Sequence, residues 1–330
     1  MTPSDAKPFD VLGLGCTAVD DLLYVARFPG VDEKMRVERS LRRFGGLTGV
    51  ALVAAARAGA RCAYAGCLGE DELSAYAAAC LTREGVDVSS APRLPQGRVV
   101  HSTVVVGNNS GSRNVFFEGS GHIGAHDTEP PEQIIRDCRM LFIDQWGMKG
   151  NLRAARVARS AGASVIADLE DARDSLFQAV LDLVDHLILG ESFAREICGQ
   201  RDAASAARAL WRADRAAVIV TCGAKGCWSV SPDQEHFPVH HPAFPVKATD
   251  TTGCGDVFHG AYAASLARGE TLEARIRFAA AAAALKAQRG EIPKLAEVET
   301  FLHAQSFPIR AGGEGWGEGD SGGSAQMRAH

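Results

Sequence analysis

Short apolar runs alternate with longer segments of helical periodicity through most of this chain. Apolar runs of four to eight residues are typical of buried strands, and the longer segments are typical of amphipathic helices. The predicted strands are 9–15, 60–69, 139–144, 164–168, 186–189, 217–221 and 227–230, and the predicted helices are 50–58, 152–161, 175–183, 193–198, 203–212, 256–267, 272–288 and 298–304. This alternation predicts an α/β fold with a doubly wound, mainly parallel sheet and helices on both faces.

Two β regions, at about 20–44 and 96–118, interrupt the alternation. Residues 35–44 alternate weakly and carry several arginines, as an exposed strand would. Residues 99–106 and 114–118 are strand-like runs on either side of a Gly/Asn/Ser-rich turn, which is typical of a hairpin. We therefore expect these regions to form a small sheet beside the main domain.

The length of 330 residues suits one large domain, which we place at 9–310. Residues 1–8 are expected to be a disordered tail. The segment 311–330 is rich in Gly, Ser and Glu, and this composition also predicts disorder.

Composition and charge exclude several classes of protein. Hydrophobic residues make up 46% and charged residues 23% of the chain, as in ordinary globular proteins. The formal net charge is −5 without a block of like charges, so neither a nucleic-acid nor a membrane partner is expected. The nine cysteines form no Cys-x-x-Cys pair, and most have apolar neighbours. Reduced cysteines of this kind favour the cytoplasm.

The segment Asp250–Asp256, with sequence DTTGCGD, carries the strongest chemical signal. Gly253 and Gly255 flank the small Cys254, and a helix rich in small residues follows. Glycines let a backbone approach a ligand closely, and a helix start offers free N–H groups to an anion such as phosphate. An acid beside an anion site opposes binding, but it is useful if it accepts a proton from a nucleophile that attacks phosphorus. Asp256 is therefore the candidate base, and a glycine turn with a capping aspartate is the alternative.

A dinucleotide-binding site is a second hypothesis, because Gly13 and Gly15 follow an apolar run as in the dinucleotide fingerprint. Such a unit needs a helix directly after its glycines. Pro29 and Gly30 break the chain before a helix of useful length, which counts against an oxidoreductase. Asp20 then suits a hydroxyl group of a small ligand.

Two other common sites are not indicated. The chain lacks the Gly-x-x-x-x-Gly-Lys-[Ser/Thr] sequence of a P-loop. His236, His240 and His241 lie among prolines without nearby Cys or carboxylate partners, so we expect a solvated loop rather than a metal site.

Taken together, these motifs resemble the ribokinase/PfkB carbohydrate kinase family over roughly residues 9–305. Asp250–Asp256 matches the family signature Asp-Thr-x-Gly-x-Gly-Asp, with Cys254 where alanine is usual. The other landmarks follow in order: Gly15 and Asp20, Gly45 and Gly46 before a helix that ends at Gly59, Gly66-x-x-Gly69-x-Asp71, and Thr221-x-Gly223-x-x-Gly226. The chain looks most similar to the sulfofructose-kinase and ketohexokinase-like branches.

The resemblance implies an ATP-dependent sugar kinase with a ribokinase-like fold, in which Asp256 is the base. Gly253, Cys254 and Gly255 would hold the transferring phosphoryl group. The implied sugar-binding residues are Asp20, Gly45, Gly46, Arg98 and Glu118, and the implied ATP-binding residues are Thr221, Gly223, Gly226 and Thr251. Magnesium is implied with ATP, and a monovalent-cation requirement is left open. The small sheet would be a lid that pairs two subunits into a dimer.

Two departures from the family pattern bear on the sugar and the metal. The Gly-Gly helix usually carries an asparagine that faces the sugar, and that position here is Val50. The family's Asn-x-x-Glu motif, tied to the metal, falls where this chain has Gly190 and Phe193. The metal ligands are therefore not identified. A binding protein without catalysis and a nucleoside kinase remain alternatives.

Overall fold

An eight-stranded sheet runs through the part of the chain described by the computed structural model, residues 7–108, 112–234 and 237–305. Its strands are β1 (Phe9–Leu14), β4 (Cys62–Tyr64), β7 (Cys138–Asp144), β8 (Ser164–Asp168), β9 (His186–Gly190), β10 (Ala217–Thr221), β11 (Cys227–Val230) and β12 (Val239–His241). The order is β12-β11-β10-β9-β8-β7-β1-β4, in which the strands from β10 to β4 pair in parallel. The last two strands, β11 and β12, add antiparallel.

Helices cover both faces of this sheet, because its strands are apolar on both sides. One face packs against α1 (Leu47–Arg57), α2 (Glu72–Arg83), α8 (Cys254–Ala267), α9 (Leu272–Arg289) and α10 (Leu295–Ala304). The other face packs against α3 (Glu132–Arg136), α4 (Met148–Ser160), α5 (Phe177–Leu181), α6 (Glu191–Cys198) and α7 (Ala203–Leu210). The predicted doubly wound α/β fold is confirmed.

A separate small sheet lies beside this domain, as predicted. It contains β2 (Ala18–Val25), β3 (Arg39–Gly45), β5 (Val100–Gly107) and β6 (Arg113–Glu118), in the order β3-β2-β5-β6. The central pair β2 and β5 is parallel, and both outer pairs are antiparallel. The predicted hairpin pairing of β5 with β6 is present, although residues 109–111 of its turn lie outside the described residues.

Three local predictions were wrong. The strand predicted at 60–69 is limited to β4, because the following amides of Cys67 and Leu68 donate to loop carbonyls at Gly124 and Pro92. The strand predicted from residue 35 begins only at Arg39, where pairing with β2 begins. His240 and His241 lie in β12 rather than in a loop, because the backbone of β11 offers them an antiparallel partner.

The predicted disordered tails fall mostly on residues 1–6 and 306–330, and these lie outside the described residues, as does His236. None of the helices in 7–108, 112–234 and 237–305 combines the length and apolarity needed to cross a bilayer.

The parallel strands bring four sequence-distant positions to one edge of the main sheet. Asp144 ends β7 and pairs with Asp168 at the end of β8, while Gly190 ends β9 and pairs with Thr221 at the end of β10. Ligands of open parallel sheets collect at this carboxyl edge. The start of α8 reaches the same edge, since the His259 ring one turn into that helix lies 3.3 Å from the Asp168 carboxylate.

Candidate active site

The glycine-rich loop, residues 250–253, leads into the start of α8, and this helix start is open to a ligand. Gly253 takes a left-handed conformation with φ 73° and precedes α8, and no side chain caps this helix. The first-turn amides of a helix have no intrahelical acceptor, so they can bind an anion. Gly255 is exposed, and an added Cβ there would meet nothing within 4 Å. The loop therefore leaves room for an anion such as a phosphoryl group.

Asp256 stands in the first turn of α8 and is half-buried. Burial raises its pKa well above the ordinary range, and the nearby charge of Asp168 raises it further. Asp168 is itself buried, and burial raises its pKa as well. A carboxyl group with a raised pKa is a stronger base when ionised, which suits proton acceptance from a hydroxyl group.

A cavity of about 470 Å³ brings together five of the predicted catalytic and sugar-binding positions. Its lining contains Gly253 and Asp256 from the loop and α8. Asp20 of β2 enters the same lining with Gly45 and Gly46, which precede α1. Residues more than 200 positions apart thus share one chamber between the small sheet and the main domain.

The glycine pair is required by the close approach of two chain segments. Gly46 has φ 92°, and a Cβ there would lie 2.6 Å from the backbone nitrogen of Ala18. A Cβ on Gly45 would lie 2.8 Å from a carboxylate oxygen of Asp20. Burial raises the pKa of Asp20, and a hydrogen bond from Ser102 opposes this effect. Asp20 is therefore a partly desolvated carboxylate on the cavity wall, well suited to accept hydrogen bonds from hydroxyl groups.

Val50 lies on the cavity wall where the family's asparagine was expected. A Cβ on Gly253 would lie 3.7 Å from Cγ1 of Val50 and 3.6 Å from a carboxylate oxygen of Asp256. One wall beside the candidate base is therefore apolar and offers a ligand no hydrogen bond.

None of the residues predicted to bind ATP lines this cavity. Asp250 and Thr252, on either side of Thr251, do line it. Thr221 ends β10, and the following turn has φ 55° at Gly223 and φ 89° at Gly226. A Cβ on Gly226 would lie 2.0 Å from the carbonyl oxygen of His241, so this glycine is required by the packing of β12. Thr251 is exposed in the loop before α8.

Arg98 and Glu118 line a different cavity of about 270 Å³, together with Asp71 and His101. Arg98 Nη1 lies 3.8 Å from Asp71 Oδ2 and donates to the carbonyl oxygens of Pro95 and Gly97. The structure does not bring these two residues into the chamber of Asp20 and Asp256.

The positions of the expected Asn-x-x-Glu motif have other roles here. Gly190 ends β9 and precedes α6, and an added Cβ there would meet nothing within 4 Å. Phe193 packs edge-to-face against Phe177 in the core. Glu191, in the first turn of α6, lies 4.0 Å from Arg195.

Sequence reasoning missed Asp144, a fully buried acid at the carboxyl end of β7. Its carboxylate accepts hydrogen bonds from the amides of Cys16 and Trp146 and from the Thr48 hydroxyl group. Burial raises the pKa of Asp144 to about 6, because these donors offset only part of the desolvation. The available signal was a lone acid at the end of an apolar strand.

Sequence reasoning also missed the cations around Asp250. Arg43 Nη1 of β3 lies 3.1 Å from Oδ2 of Asp250, and Lys286 Nζ of α9 lies 3.5 Å from the same atom. Arg113 of β6 donates to the hydroxyl group of Thr252. The small sheet thus contacts the glycine-rich loop at two residues. The signal for Lys286 was a lysine within an alanine-rich helix.

The dinucleotide hypothesis fails on the connection after Gly15. The chain runs directly into β2 of the small sheet instead of a helix. A Cβ on Gly15 would lie 2.0 Å from Oγ1 of Thr48 and 2.3 Å from Oδ2 of Asp144, so this glycine serves close packing.

Comparisons with known proteins show the family to which this chain belongs. The chain matches the family described as pfkB family carbohydrate kinase over residues 11–292. It is 26% identical to a ribokinase of Haemophilus influenzae over 301 residues, which cover 88% of this chain and 97% of that protein. It is 25% identical to a ketohexokinase of Mus musculus over 287 residues, which cover 81% of this chain and 92% of the ketohexokinase.

A solved structure shares the fold: Arabidopsis thaliana ribokinase complexed with ribose and ATP superimposes with a TM-score of 0.78 at 22% identity, covering 89% of this chain and 98% of that one. The resemblance in the motifs is thereby confirmed at the level of the whole chain. The chain belongs to the PfkB family of carbohydrate kinases and is a phosphotransferase that uses an alcohol group as acceptor.

Proposed function

We propose that this protein transfers the γ-phosphoryl group of ATP to a hydroxyl group of a small sugar, with Asp256 as base. The observation that carries the proposal is the cavity in which Asp256 and Asp20 face the same space as the glycine-rich loop. One carboxylate beside the helix start suits proton acceptance, and the other suits hydroxyl binding.

The proposed step needs few groups. The acceptor hydroxyl oxygen forms a bond to the γ-phosphorus as the bond from that phosphorus to the β,γ-bridging oxygen breaks, and ADP leaves. The hydroxyl proton passes to the Asp256 carboxylate. Amides at Gly253, Cys254 and Gly255 would stabilise charge on the transferring group. Phosphoryl transfer depends mainly on positioning and charge stabilisation, which this arrangement offers.

We propose that Asp20, Gly45 and Gly46 bind hydroxyl groups of the acceptor. Val50 favours an acceptor that turns a less polar edge toward α1. Arg98 and Glu118 would take part only with an acceptor that extends from Asp20 toward His101, since they line the neighbouring cavity.

We propose that ATP lies along the carboxyl edge of the sheet, with Thr221, Gly223, Gly226 and Thr251 beside it. We also propose a cytoplasmic location, where ATP is available. All nine cysteines are free, which suits a reducing compartment. His259 of α8 hydrogen-bonds to the carbonyl oxygen of Ile188 in β9 at 3.0 Å, so a nucleotide at this edge would lie beside the α8 start and its γ-phosphate would reach Asp256.

The carboxylates near Asp256 fit a magnesium ion that arrives with ATP. Negative charges at Asp168 and Glu170 raise the pKa of Asp256 beyond the effect of burial, so a divalent cation would relieve this repulsion. Among 7–108, 112–234 and 237–305 no group of three ligating side chains forms a metal site. Magnesium needs only one or two carboxylates when phosphates and water complete its shell. It would neutralise phosphate charge during transfer, and the exposed Glu170 is the candidate ligand.

The test is ADP release from ATP and magnesium across a panel of sugars and sugar alcohols. We expect turnover with at least one acceptor. Asp256→Asn should reduce kcat by about a thousandfold or more while ATP still shifts the melting temperature, because the amide cannot accept the proton. Arg289→Gln, on the exposed end of α9, is the matched control. Undiminished turnover by Asp256→Asn would refute the assignment of the base.

A binding protein without catalysis is the outcome that would contradict this assignment, and the replaced family residues at Gly190, Phe193 and Val50 are the reason to test for it. It predicts that sugars and ATP raise the melting temperature of the wild-type protein without ADP release. A nucleoside kinase predicts turnover with nucleosides and none with sugars.

A further inference from the structure

Lys286 is the only buried lysine in the part of the chain that the structure describes. It lies in the last turn of α9, is 7% exposed, and lines the same cavity as Gly253 and Asp256. A buried ammonium group is unfavourable unless a negative group compensates it. Asp250, whose Oδ2 lies 3.5 Å from Nζ, is the carboxylate in position to do so.

The two oxygens of Asp250 connect Lys286 to the shape of the glycine-rich loop. Oδ2 faces Lys286, while Oδ1 accepts a hydrogen bond of 3.0 Å from the amide of Thr252. That bond closes the turn that leads into the left-handed Gly253 and the start of α8. Burial opposes ionisation of Asp250, but the Thr252 amide, Lys286 and Arg43 outweigh it and lower its pKa.

The backbone before the loop is attached to the same end of α9. The amides of Thr249 and Asp250 both donate to the carbonyl oxygen of Ala287, at 2.7 and 3.1 Å. The Thr249 hydroxyl group donates to the carbonyl oxygen of Gln288 at 2.9 Å. These bonds hold the main chain, and Lys286 holds the side chain that shapes the turn.

Arg43 contacts the same oxygen but differs in its surroundings. Its side chain is exposed on β3 of the small sheet, so water and salt screen its pair with Asp250. The Lys286 side chain is buried, so its attraction to Asp250 is screened less. Lys286 therefore restrains the loop from the protein interior, in addition to the exposed hydrogen bond from Arg43.

We propose that Lys286 is a positioning residue for phosphoryl transfer, whose ammonium group holds Asp250 and thereby aims residues 253–255 at the transferring group. This inference rests on the proposed function. Without the ammonium group, the partly buried Asp250 carboxylate would keep only the exposed Arg43 as a counter-charge and would turn toward water. The turn at Thr252 would then open. Because the Lys286 side chain supplies the positive charge beside Asp250, wild-type turnover should not require a monovalent cation.

The first test compares steady-state kinetics of Lys286→Met, Lys286→Arg and the control Arg289→Met with ATP and magnesium, in buffers whose only monovalent cation is tetramethylammonium. Arg289 lies on the same helix turn but pairs with Glu297 at the surface. We expect Lys286→Met to lower kcat by about ten- to a hundredfold, because misplaced groups lose rate, while KM for the sugar changes little. Lys286→Arg should retain most of kcat, and Arg289→Met should match wild type.

Cation rescue separates positioning from general loss of structure. Ammonium or potassium ions should raise kcat of Lys286→Ala several-fold and leave wild-type kcat unchanged, since only the variant has an empty place beside Asp250. A wild-type requirement for potassium, or a Lys286→Met variant within twofold of wild type, would overturn the proposal.

Hydrogen–deuterium exchange tests the same inference without turnover. Amides of residues 251–256 should exchange faster in Lys286→Met than in wild type or Arg289→Met, and ammonium ions should slow this exchange in Lys286→Ala. Equal exchange in all variants would overturn the proposal, even if the wild-type protein proved to be a binder instead of a kinase.

Discussion

At the scale of single residues, the candidate active site contains buried and half-buried carboxylates whose negative charges repel one another. Asp256 and Asp168 both have raised pKa values, first from burial and then from neighbouring acids. Burying like charges lowers the stability of the fold. A cluster of buried acids is therefore found mainly where function requires it. Asp144 adds a third acid, held by three hydrogen-bond donors.

The raised pKa of Asp256 predicts a distinct pH profile. A base acts when ionised, so kcat/KM should fall with decreasing pH well above the ordinary aspartate range near pH 4. Asp168→Asn removes a negative neighbour and should shift the acidic limb about one pH unit lower. The measurement is kcat/KM for the sugar between pH 4.5 and 9, with exposed Glu196→Gln as control. An unmoved acidic limb in Asp168→Asn would mean that Asp168 does not act on Asp256.

At the scale of elements, the start of α8 is positioned by its contact with α1. Both helices are rich in small residues, and Gly260 of α8 lies directly against the backbone of Ala51 in α1. This close approach places Val50 and Gly253 on the same cavity wall.

Gly260→Ala tests this packing. A Cβ there would lie 2.0 Å from the carbonyl oxygen of Ala51, and backbone cannot move aside cheaply. We expect the free energy of unfolding to fall by about 3 kcal/mol in urea titrations, although alanine is the better helix former. Gly190→Ala is the control, since its Cβ meets nothing within 4 Å, and it should change stability by less than about 0.5 kcal/mol. Equal stability of both variants would contradict close packing of α1 on α8.

At the scale of the whole molecule, the small sheet presents apolar side chains to solvent. Phe116 and Phe117 of β6 are 62% and 67% exposed, on an outer strand of that sheet. Exposed apolar patches on an unpaired strand edge favour association. We therefore propose that the small sheet acts as a lid and pairs two copies of the chain.

Replacement of Phe116 and Phe117 by serine tests the proposed dimer. Light scattering after gel filtration should show a dimer for wild type and a monomer for the double variant. The dissociation constant should rise by about a hundredfold or more, because two aromatic contacts are lost. Phe237→Ser is the matched control, since Phe237 is 79% exposed and lies outside the small sheet. A monomeric wild-type protein would refute the dimer.

The sequence by itself determined the fold class, the family and the candidate catalytic motif. Alternating strands and helices are local patterns, and Asp250–Asp256 is contiguous, so both could be read along the chain. The predicted ends of the elements were less accurate. The strand predicted at 60–69 is limited to β4 in the structure, because loop carbonyls rather than a neighbouring strand accept hydrogen bonds from its later amides.

Only the tertiary structure decided which distant residues share the site. It placed Asp20 and Val50 beside Asp256 and placed Arg98 in another cavity. It also set Lys286 against Asp250, although 36 positions separate them. The physical reason is that burial, charge and hydrogen bonding depend on distances in space. No local pattern encodes those distances until the sheet brings its strand ends to one edge.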